Sequence, residues 1–448
     1  MRRGATLALA ISFVLRAGPA VAQPCPDCLE AGAARVSLAV PAGTPLAGYG
    51  SVARRLLVPD VLGRHAHAFW LKPSAGERDA LAARALVLES GDVRVAWVAI
   101  DLLAVDRAFV AEVERRLGAA GVRPATLIVS ASHTHSGPGA FVDSALLGWL
   151  ALDRLDSAVR EALITGVVAA VRQADAARQP ARVGASGVTA PGVVASRLDE
   201  PLDSELLVVK VTTADGAPIA LVWNYAIHGT TLGPRNLRLS GDVMGEASRR
   251  LEQALGAPAL FVNGAVGDVS PARHGERATM DIGAELAEAA RTGWARAEPM
   301  ARPTLRTDRL EVALPAASLS VRNCLRGWAP AAFSLPLGSV FPRQTTLVAV
   351  RLGDVGWVTF PGELQTSLGM GLKQAAGARL RRALVAGVSN DYLGYFLTAA
   401  DYGRPSYISC TSVYGPTTGT CLAEAAGGLL AAVAGGERPA GARASCER

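Results

Sequence analysis

Residues 126–139 read TLIVSASHTHSGPG, a run of apolar and β-branched residues that passes into a glycine-rich loop. The run at 126–130 predicts a buried strand, and the loop after it carries His133 and His135. Side chains two residues apart in extended backbone lie on the same side, so both imidazoles are expected to face one space. One could bind a metal while the other polarises a substrate carbonyl, although two hydrogen-bonded loop histidines would give the same pattern.

Comparable apolar runs alternate along the chain with amphipathic stretches of helical period. This alternation predicts an α/β fold in which mixed β-sheets are flanked by helices. The other predicted strands are 93–100, 205–212, 219–226, 259–263, 347–352, 357–360 and 383–388. The predicted helices are 109–117, 155–171, 243–255, 282–297 and 364–376, with Asp242 as the N-cap of the third.

Polar residues follow the carboxyl ends of these predicted strands. They are Asp101, His133, His135, His228, Asp268, Ser270, Glu363, Asn390 and Tyr395. Because open α/β sheets bind ligands at the carboxyl ends of their strands, the pattern predicts an active site at these ends.

The histidines and Glu363 suggest a metal site. His228 follows the strand at 219–226 and is the natural third histidine, and two histidines with one glutamate are a recurrent catalytic zinc set that leaves a position for water. His65 and His67 have the same spacing as the pair at 133 and 135, but no obvious strand precedes them. We therefore expect His65 and His67 to be structural or surface residues.

The N-terminus has the order of a secretory signal peptide, with Arg2 and Arg3, an apolar stretch and then Ala20-Val21-Ala22. Cleavage after Ala22 would remove residues 1–22 and give an exported protein, secreted or periplasmic. Removing that segment takes away three arginines and no acidic residue, which lowers the formal net charge from +6 to +3. Such a charge does not indicate nucleic-acid binding, and no later apolar run is long enough to predict a transmembrane segment.

Six cysteines form an even set in a chain expected to leave the cytoplasm, so disulfides are predicted. The short separation of Cys410 and Cys421 favours a bond between these two. Cys25 and Cys28, in a Cys-Pro-Asp-Cys motif, could be structural or could form a redox or metal pair.

Four sequence blocks in this order resemble the signature blocks of the neutral/alkaline non-lysosomal ceramidases. They are SHTHSGPG, NGAVGDVSP around Ser270, FPGE at Glu363 and GVSNDYLGY ending at Tyr395. The resemblance runs from about residue 34 to residue 416, and residues 23–448 are expected to form one ceramidase-like catalytic domain. Relatives also carry a C-terminal immunoglobulin-like domain, for which this chain is not expected to have room.

The resemblance implies a role for eight residues. His133, His228, Glu363 and Tyr395 would bind one Zn²⁺, whereas His135, Arg197, Ser270 and Tyr407 would contact the reacting amide or its neighbouring hydroxyl. Ser270 lacks the Gly-x-Ser-x-Gly frame of a nucleophile elbow, so whether it is a nucleophile or positions the substrate stays open.

The expected chemistry is zinc-assisted hydrolysis of the N-acyl amide of a ceramide-like lipid, with His135 and Tyr407 stabilising the oxyanion and Glu363 or Ser270 relaying a proton to the leaving nitrogen. A lipid substrate would also bring the protein into transient contact with a membrane surface. Two alternatives remain open. The chain could be a zinc hydrolase of another N-acyl amide or an ester, or a catalytically silent binding protein of the same fold.

Overall fold

A computed structural model describes residues 29–436, except 302, 329, 331, 332 and 378, together with residues 444–447. The expected signal peptide and the pair Cys25 and Cys28 lie outside the described residues. Within the described part of the chain, no helix is both long enough and apolar enough to cross a membrane.

The strands are β1 (Glu30–Ser37), β2 (Ala82–Ser90), β3 (Val93–Ile100), β4 (Thr126–Ala131), β5 (Gln179–Thr189), β6 (Val194–Ser196), β7 (Glu205–Thr213), β8 (Pro218–Tyr225), β9 (Ala259–Asn263), β10 (Val269–Pro271), β11 (Leu305–Ala313), β12 (Ser318–Ser320), β13 (Ser334–Pro336), β14 (Gln344–Leu352), β15 (Val355–Thr359), β16 (Glu363–Leu364), β17 (Arg382–Ala386), β18 (Tyr395–Phe396) and β19 (Ala444–Ser445). The helices are α1 (Arg107–Ala119), α2 (Ala145–Leu147), α3 (Ser157–Ala176), α4 (Asp242–Leu255), α5 (Glu276–Arg296), α6 (Val321–Cys324), α7 (Thr366–Ala376), α8 (Ala399–Tyr402), α9 (Tyr407–Cys410) and α10 (Thr418–Val433), with a π-helical turn at Gly148–Leu152 and a 3₁₀ turn at Gly338–Val340.

The predicted α/β class with mixed sheets is confirmed. An eight-stranded sheet has the order β4-β3-β2-β1-β5-β7-β8-β9, and a five-stranded sheet has the order β17-β15-β14-β11-β19. In the larger sheet only β3–β4 and β8–β9 are parallel, and in the smaller sheet β15–β17 and β11–β19 are parallel. Both sheets therefore mix the two strand directions.

The two sheets pack face to face and helices cover their outer faces. Trp97 of β3 stacks on Trp357 of β15 at 4.7 Å between ring centroids, in a core to which both sheets contribute. Helices α1 and α3 cover one half of the larger sheet, α4 and α5 the other half, and α7 and α10 the smaller sheet. Burial of apolar area on both faces of each sheet is the main force that holds this four-layer arrangement together.

The larger sheet folds back on itself. Only two residue pairs, Glu30 with Pro180 and Ala31 with Gln179, join β1 to β5, so the halves on either side can turn towards each other. As a result β9 contacts β4 although these strands lie at opposite ends of the sheet order. This brings the carboxyl ends of β4, β8 and β9 to one place.

The predicted Cys410–Cys421 disulfide is wrong. Cys410 at the end of α9 is bonded to Cys324 at the end of α6, and Cys421 in α10 is bonded to Cys446. The short helices α6 and α9 pack against each other, so the closest cysteine to Cys410 in space is distant in sequence. Loop length alone therefore gave the wrong partner.

Asp242 does not cap α4 as predicted. Gly241 is the N-cap and Asp242 is the first helical residue, with a φ of 53°. Its buried carboxylate instead accepts hydrogen bonds from the backbone amides of Leu232 and Val243 and from Thr231. Asp242 thus ties the loop that follows β8 to the start of α4.

Candidate active site

The loops after β4 and β8 meet edge to edge. Thr134 pairs with Gly229 in an isolated parallel bridge, and the His135 amide donates to the Gly229 carbonyl at 2.8 Å. A Cβ at Gly229 would lie 2.7 Å from the His133 carbonyl oxygen, closer than real Cβ contacts allow. Glycine at this position therefore lets the two histidine-bearing loops approach each other.

His133 departs from the extended backbone that was predicted. Its φ is 66°, in the left-handed region, so the side-by-side rings of His133 and His135 arise from a turn and not from strand periodicity. The Nδ1 atom of His133 lies 2.8 Å from the Leu103 carbonyl oxygen. Because a carbonyl can only accept, this contact places the proton on Nδ1 and leaves the Nε2 lone pair free.

Glu363 completes a compact cluster with the two histidines. Its Oε1 lies 3.3 Å from Nε2 of His133, its Oε2 lies 2.9 Å from Nε2 of His228, and the two Nε2 atoms are 3.2 Å apart. All three residues are no more than 1% exposed. Four donor atoms of three residues, carried by three separate strand ends, therefore converge on one buried point.

The electrostatics of this cluster suit a cation. Burial lowers the pKa of His228 to about 3, and the positive charge of Arg197 acts in the same direction, so the imidazole is neutral near pH 7. Burial alone would raise the pKa of the Glu363 carboxyl, but any positive charge on His133 and His228, together with hydrogen bonding from their rings, favours the carboxylate and holds this pKa well below its usual value. A carboxylate and neutral imidazole are the protonation states that bind a divalent metal.

The geometry also fits a metal ion. Zinc–ligand bonds of about 2.0–2.2 Å put neighbouring ligand atoms about 3–4 Å apart, as in the trio of His133, His228 and Glu363. Oε2 of Glu363 is buried and accepts no hydrogen bond from the described residues despite its short distance to His228. A wider trio in which His135 replaces Glu363 spans up to 4.8 Å. We favour the trio with Glu363 because its spacing is tighter and it supplies a negative charge.

His135 lies beside this trio. Its ring is 5.1 Å from the ring of His133, and its Nδ1 lies 3.1 Å from the Gly48 carbonyl oxygen. That contact puts the proton on Nδ1, and the buried Nε2 has no hydrogen-bond partner among the described residues. Burial lowers the pKa of His135 well below its usual value. In this form Nε2 accepts a hydrogen bond, whereas the expected oxyanion role needs a donor.

Arg197, Ser270 and Tyr407 form a connected group. Strands β6 and β10 pair, so Nε of Arg197 comes within 2.6 Å of Oγ of Ser270, and Nη1 of Arg197 donates to the Tyr407 hydroxyl. Since Arg197 is a donor, it cannot take the proton that a serine nucleophile must lose. This contact favours a positioning role for Ser270 over a nucleophilic one.

Tyr395 lies next to Glu363 because β16 and β18 pair in parallel with these two residues opposite each other. Its ring is 6.0 Å from the ring of Tyr407, at an angle of 82°. Burial raises the pKa of the Tyr395 hydroxyl well above its usual value, and the charge of Glu363 adds to this effect. The metal-ligand role expected for Tyr395 therefore depends on a cation close to its oxygen.

Tyr392 is a site residue that the sequence reasoning missed. Its hydroxyl donates to Oε1 of Glu363 at 2.6 Å. Burial and the negative charge of Glu363 raise its pKa well above the usual value, so the hydroxyl remains a donor. The available signal was its position three residues before Tyr395 in the block GVSNDYLGY.

Other polar residues at strand ends have structural contacts. Asp101 forms an ion pair with Arg84 at 3.1 Å, Asn390 accepts from the backbone amide of Val129 at 2.7 Å, and Asp268 accepts from the Thr366 amide at the start of α7. His67 lies 3.1 Å from Asp156, in agreement with the structural or surface role expected for that pair.

The cluster opens into a cavity of about 660 Å³. Buried polar residues line its deep part, whereas Trp149 and Leu150, which are 49% and 43% exposed, mark its mouth. The apolar lining residues include Leu103, Leu146, Leu147, Leu319, Leu337, Phe341 and Val413. The site therefore joins a cluster of buried polar residues to a largely apolar channel.

Comparisons with known proteins agree with this description. The sequence model described as "Neutral/alkaline non-lysosomal ceramidase, N-terminal" matches residues 68–292. Neutral ceramidase B of Dictyostelium discoideum is 27% identical over 175 residues, which cover 34% of this chain and 24% of the relative. Neutral ceramidase of Mycobacterium tuberculosis is 27% identical over 231 residues, which cover 44% and 36%. The chain thus aligns with about a quarter to a third of the length of these relatives.

The fold is similar to a solved structure. The crystal structure of neutral ceramidase from Pseudomonas aeruginosa superposes with a TM-score of 0.78 over 91% of this chain and 75% of that chain. The two sequences are 20% identical over the match, so this likeness concerns the fold.

Proposed function

The chain belongs to the neutral/alkaline non-lysosomal ceramidase family, and from this premise we propose that it is a zinc-dependent amidohydrolase. Its substrates would be ceramide-like sphingolipids, cleaved at the N-acyl amide to a fatty acid and a sphingoid base. The observation that carries the proposal is the convergence of His133, His228 and Glu363, at 2.9–3.3 Å from one another, in the deep part of an apolar cavity.

His133, His228 and Glu363 would hold the zinc, with Tyr395 as the fourth protein ligand. When bound, zinc supplies a water of lowered pKa, near 7, and polarises the amide carbonyl. The Leu103 carbonyl keeps the Nε2 lone pair of His133 turned to the cluster, and Tyr392 holds the Glu363 carboxylate in place.

The remaining site residues would act on the substrate. Arg197 and Tyr407 donate hydrogen bonds to the amide carbonyl oxygen as negative charge develops on it, and Ser270 fixes the Arg197 guanidinium. His135, with its lone pair on Nε2, accepts a proton from the attacking water and passes it to the leaving nitrogen. This assignment replaces the donor role expected from the sequence for His135.

The shape of the cavity favours a lipid substrate. An apolar channel of about 660 Å³ suits a hydrocarbon chain, because each buried CH₂ contributes roughly 0.8 kcal/mol. We propose that the acyl or sphingoid chain occupies it. The Cys324–Cys410 and Cys421–Cys446 disulfides support an oxidising compartment, in line with a cleaved signal peptide at residues 1–22 and export to the periplasm or medium.

The test combines metal analysis with hydrolysis of a fluorogenic ceramide by the purified mature protein. We expect about one zinc per chain, loss of activity on chelation and recovery on adding zinc back. Glu363→Gln should remove both zinc and activity, while His67→Ala serves as a control that keeps both. Activity that survives complete removal of metal would overturn the zinc mechanism. Preference for a simple N-acyl amide or an ester over ceramide would favour the alternative substrates.

A further inference from the structure

Exposed apolar side chains are concentrated around the mouth of the cavity. Among the described residues, the large apolar side chains that are exposed are Val52, Leu57, Val58, Val61, Leu62, Trp149, Leu150, Met280, Leu325, Trp328, Phe333, Leu335, Val340, Met370 and Tyr407. Trp149, Leu150 and Tyr407 line the cavity, Val340 is next to the lining residue Phe341, and Val52 lies three residues from the lining residue Tyr49. Contiguous exposed apolar surface commonly marks a binding site.

One part of this surface is the segment 52–62. Leu57, at 98% exposed, is the most exposed of its apolar residues. The segment is fixed to the mouth through Arg55, which donates to the Leu150 carbonyl at 3.2 Å and lies 5.0 Å from the centre of the Trp149 ring. The apolar residues of 52–62 therefore extend the surface that Trp149 and Leu150 begin.

The other part comprises residues 325–328 and 333–340, of which Leu337 lines the cavity. Leu319, which lines the cavity, pairs with the exposed Leu335 in the β12–β13 hairpin, and Trp328 before β13 is 90% exposed. The Cys324–Cys410 disulfide ties this hairpin to α9, which carries the cavity residue Tyr407. We call the segments 52–62, 149–150, 325–328 and 333–340 the apolar rim.

The charges near the apolar rim are nearly all positive. Arg55 and Arg64 accompany the first segment, and Arg322 and Arg326 accompany the last. Asp60 is the only acidic residue between positions 41 and 76; it is buried, accepts from the His65 amide at 2.6 Å and pairs with Arg64 at 3.8 Å, which leaves Arg64 itself exposed but partly neutralised. No acidic residue occurs between positions 312 and 353. The rim therefore combines exposed apolar side chains with cations, as surfaces that bind anionic membranes do.

We propose that the apolar rim docks on a lipid bilayer with anionic headgroups and so places the mouth of the cavity on the membrane surface. This inference rests on the proposed lipid hydrolase function, because docking on a bilayer serves catalysis only if the substrate is a lipid within that bilayer. The apolar side chains enter the interfacial region while the arginines contact headgroup phosphates. A lipid chain can then enter the cavity without crossing water. A second copy of the chain fits less well, since a symmetric dimer would bring two cationic rims together.

Flotation with vesicles tests the docking surface. The mature protein is mixed with phosphatidylcholine vesicles that contain either no anionic lipid or about 30% phosphatidylglycerol. We expect the vesicles with phosphatidylglycerol to bind the protein more strongly. The rim variants are Leu57→Ser with Leu62→Ser, and Trp328→Ser. The matched control is Met280→Ser with Met370→Ser, which removes exposed apolar side chains away from the rim. We expect the rim variants to bind anionic vesicles about tenfold more weakly and the control to bind normally.

Two further measurements keep the result interpretable. Hydrolysis of a short-chain, water-soluble ceramide and the melting temperature should stay unchanged in the rim variants, whereas hydrolysis of ceramide in anionic vesicles should fall with binding. Wild-type protein that does not float, or rim variants that float equally well, would overturn the proposal. So would a wild-type dimer that the rim substitutions convert to monomer without a change in flotation. If rim-dependent flotation occurs but no amide is hydrolysed, the docking surface stands and the proposed function fails.

Discussion

Two histidine pairs with the same spacing have different surroundings in this molecule. His133 and His135 follow β4 and lie within one buried cluster with His228, whereas His65 and His67 lie in a loop. His67 contacts Asp156, with both side chains 21% exposed, and the His65 amide donates to Asp60. The spacing is therefore not what makes a candidate site. The pair at 133 and 135 lies beside the strand ends that carry His228 and Glu363, whereas the pair at 65 and 67 lies in a loop. This difference in surroundings makes only the first pair part of a candidate site.

The largest effect is expected from removing a histidine of the buried trio. His133→Ala or His228→Ala should lose zinc and lower kcat/KM by more than about 10³-fold, because each substitution removes a nitrogen ligand of the proposed catalytic zinc. Metal content and ceramide hydrolysis are measured together, with His65→Ala as the matched control. Retention of zinc and activity by His133→Ala would mean that the pair at 133 and 135 does not differ from the pair at 65 and 67 in binding a metal.

His135→Ala sharpens the comparison by separating the roles proposed for His133 and His135. We expect kcat to fall by about 10²-fold while zinc content stays normal, because the residue accepts a proton beside the metal site without binding the ion. The zinc stoichiometry of the variant measures metal binding, and its single-turnover rate measures the chemical step. A zinc-free variant would make His135 a ligand in place of Glu363, and a fully active one would make it structural.

Tyr392→Phe tests whether the hydrogen bond from Tyr392 to Glu363 strengthens zinc binding at the buried site. Loss of the 2.6 Å hydrogen bond to Glu363 should weaken zinc binding by about 10- to 100-fold, because a residue that hydrogen-bonds to a metal ligand holds that ligand in the orientation that binds the ion. Competition with a chelator measures the affinity. Tyr414→Phe is the matched control, because the Tyr414 hydroxyl donates to the Pro342 carbonyl and not to the cluster. Equal zinc affinities in both variants would contradict the supporting role of Tyr392.

The smallest effect is expected at the other pair. His67→Ala should leave zinc content and turnover unchanged and lower the free energy of unfolding by about 0.5 kcal/mol, the usual size of a partly exposed ion pair. Chemical denaturation and the ceramide assay measure the two quantities. A marked loss of turnover at unchanged stability would show that the loop pair takes part in function after all.

Sequence periodicity predicted some elements well and missed others. The predictions at 93–100 and 259–263 match β3 and β9 to the residue, because both strands are continuous apolar runs. The strand β5 was missed, since Gly184, Gly187 and several small residues make it look like a loop. A Cβ at Gly184 would lie 2.3 Å from the Glu298 carbonyl oxygen, so a neighbouring segment requires this glycine. Helix α10 was missed because it is apolar on most sides and contains two adjacent glycines.

The sequence by itself determined the class of fold and indicated the candidate reactive groups. Strand ends followed by His133, His228 and Glu363 were visible as apolar runs passing into polar residues, and the order of the blocks pointed to the family. Local composition is sufficient for these conclusions because secondary structure and side-chain chemistry are properties of short segments.

Only the tertiary structure decided which of these groups meet. The fold-back of the larger sheet brings β4 to β9, and the β16–β18 pairing sets Tyr395 beside Glu363. The tertiary structure also pairs Cys410 with Cys324, holds His133 in a left-handed conformation and brings the Tyr392 hydroxyl to Glu363. These features depend on distances between segments that are far apart in sequence, and such distances are set by how the sheets and helices pack and not by the residues of any one segment.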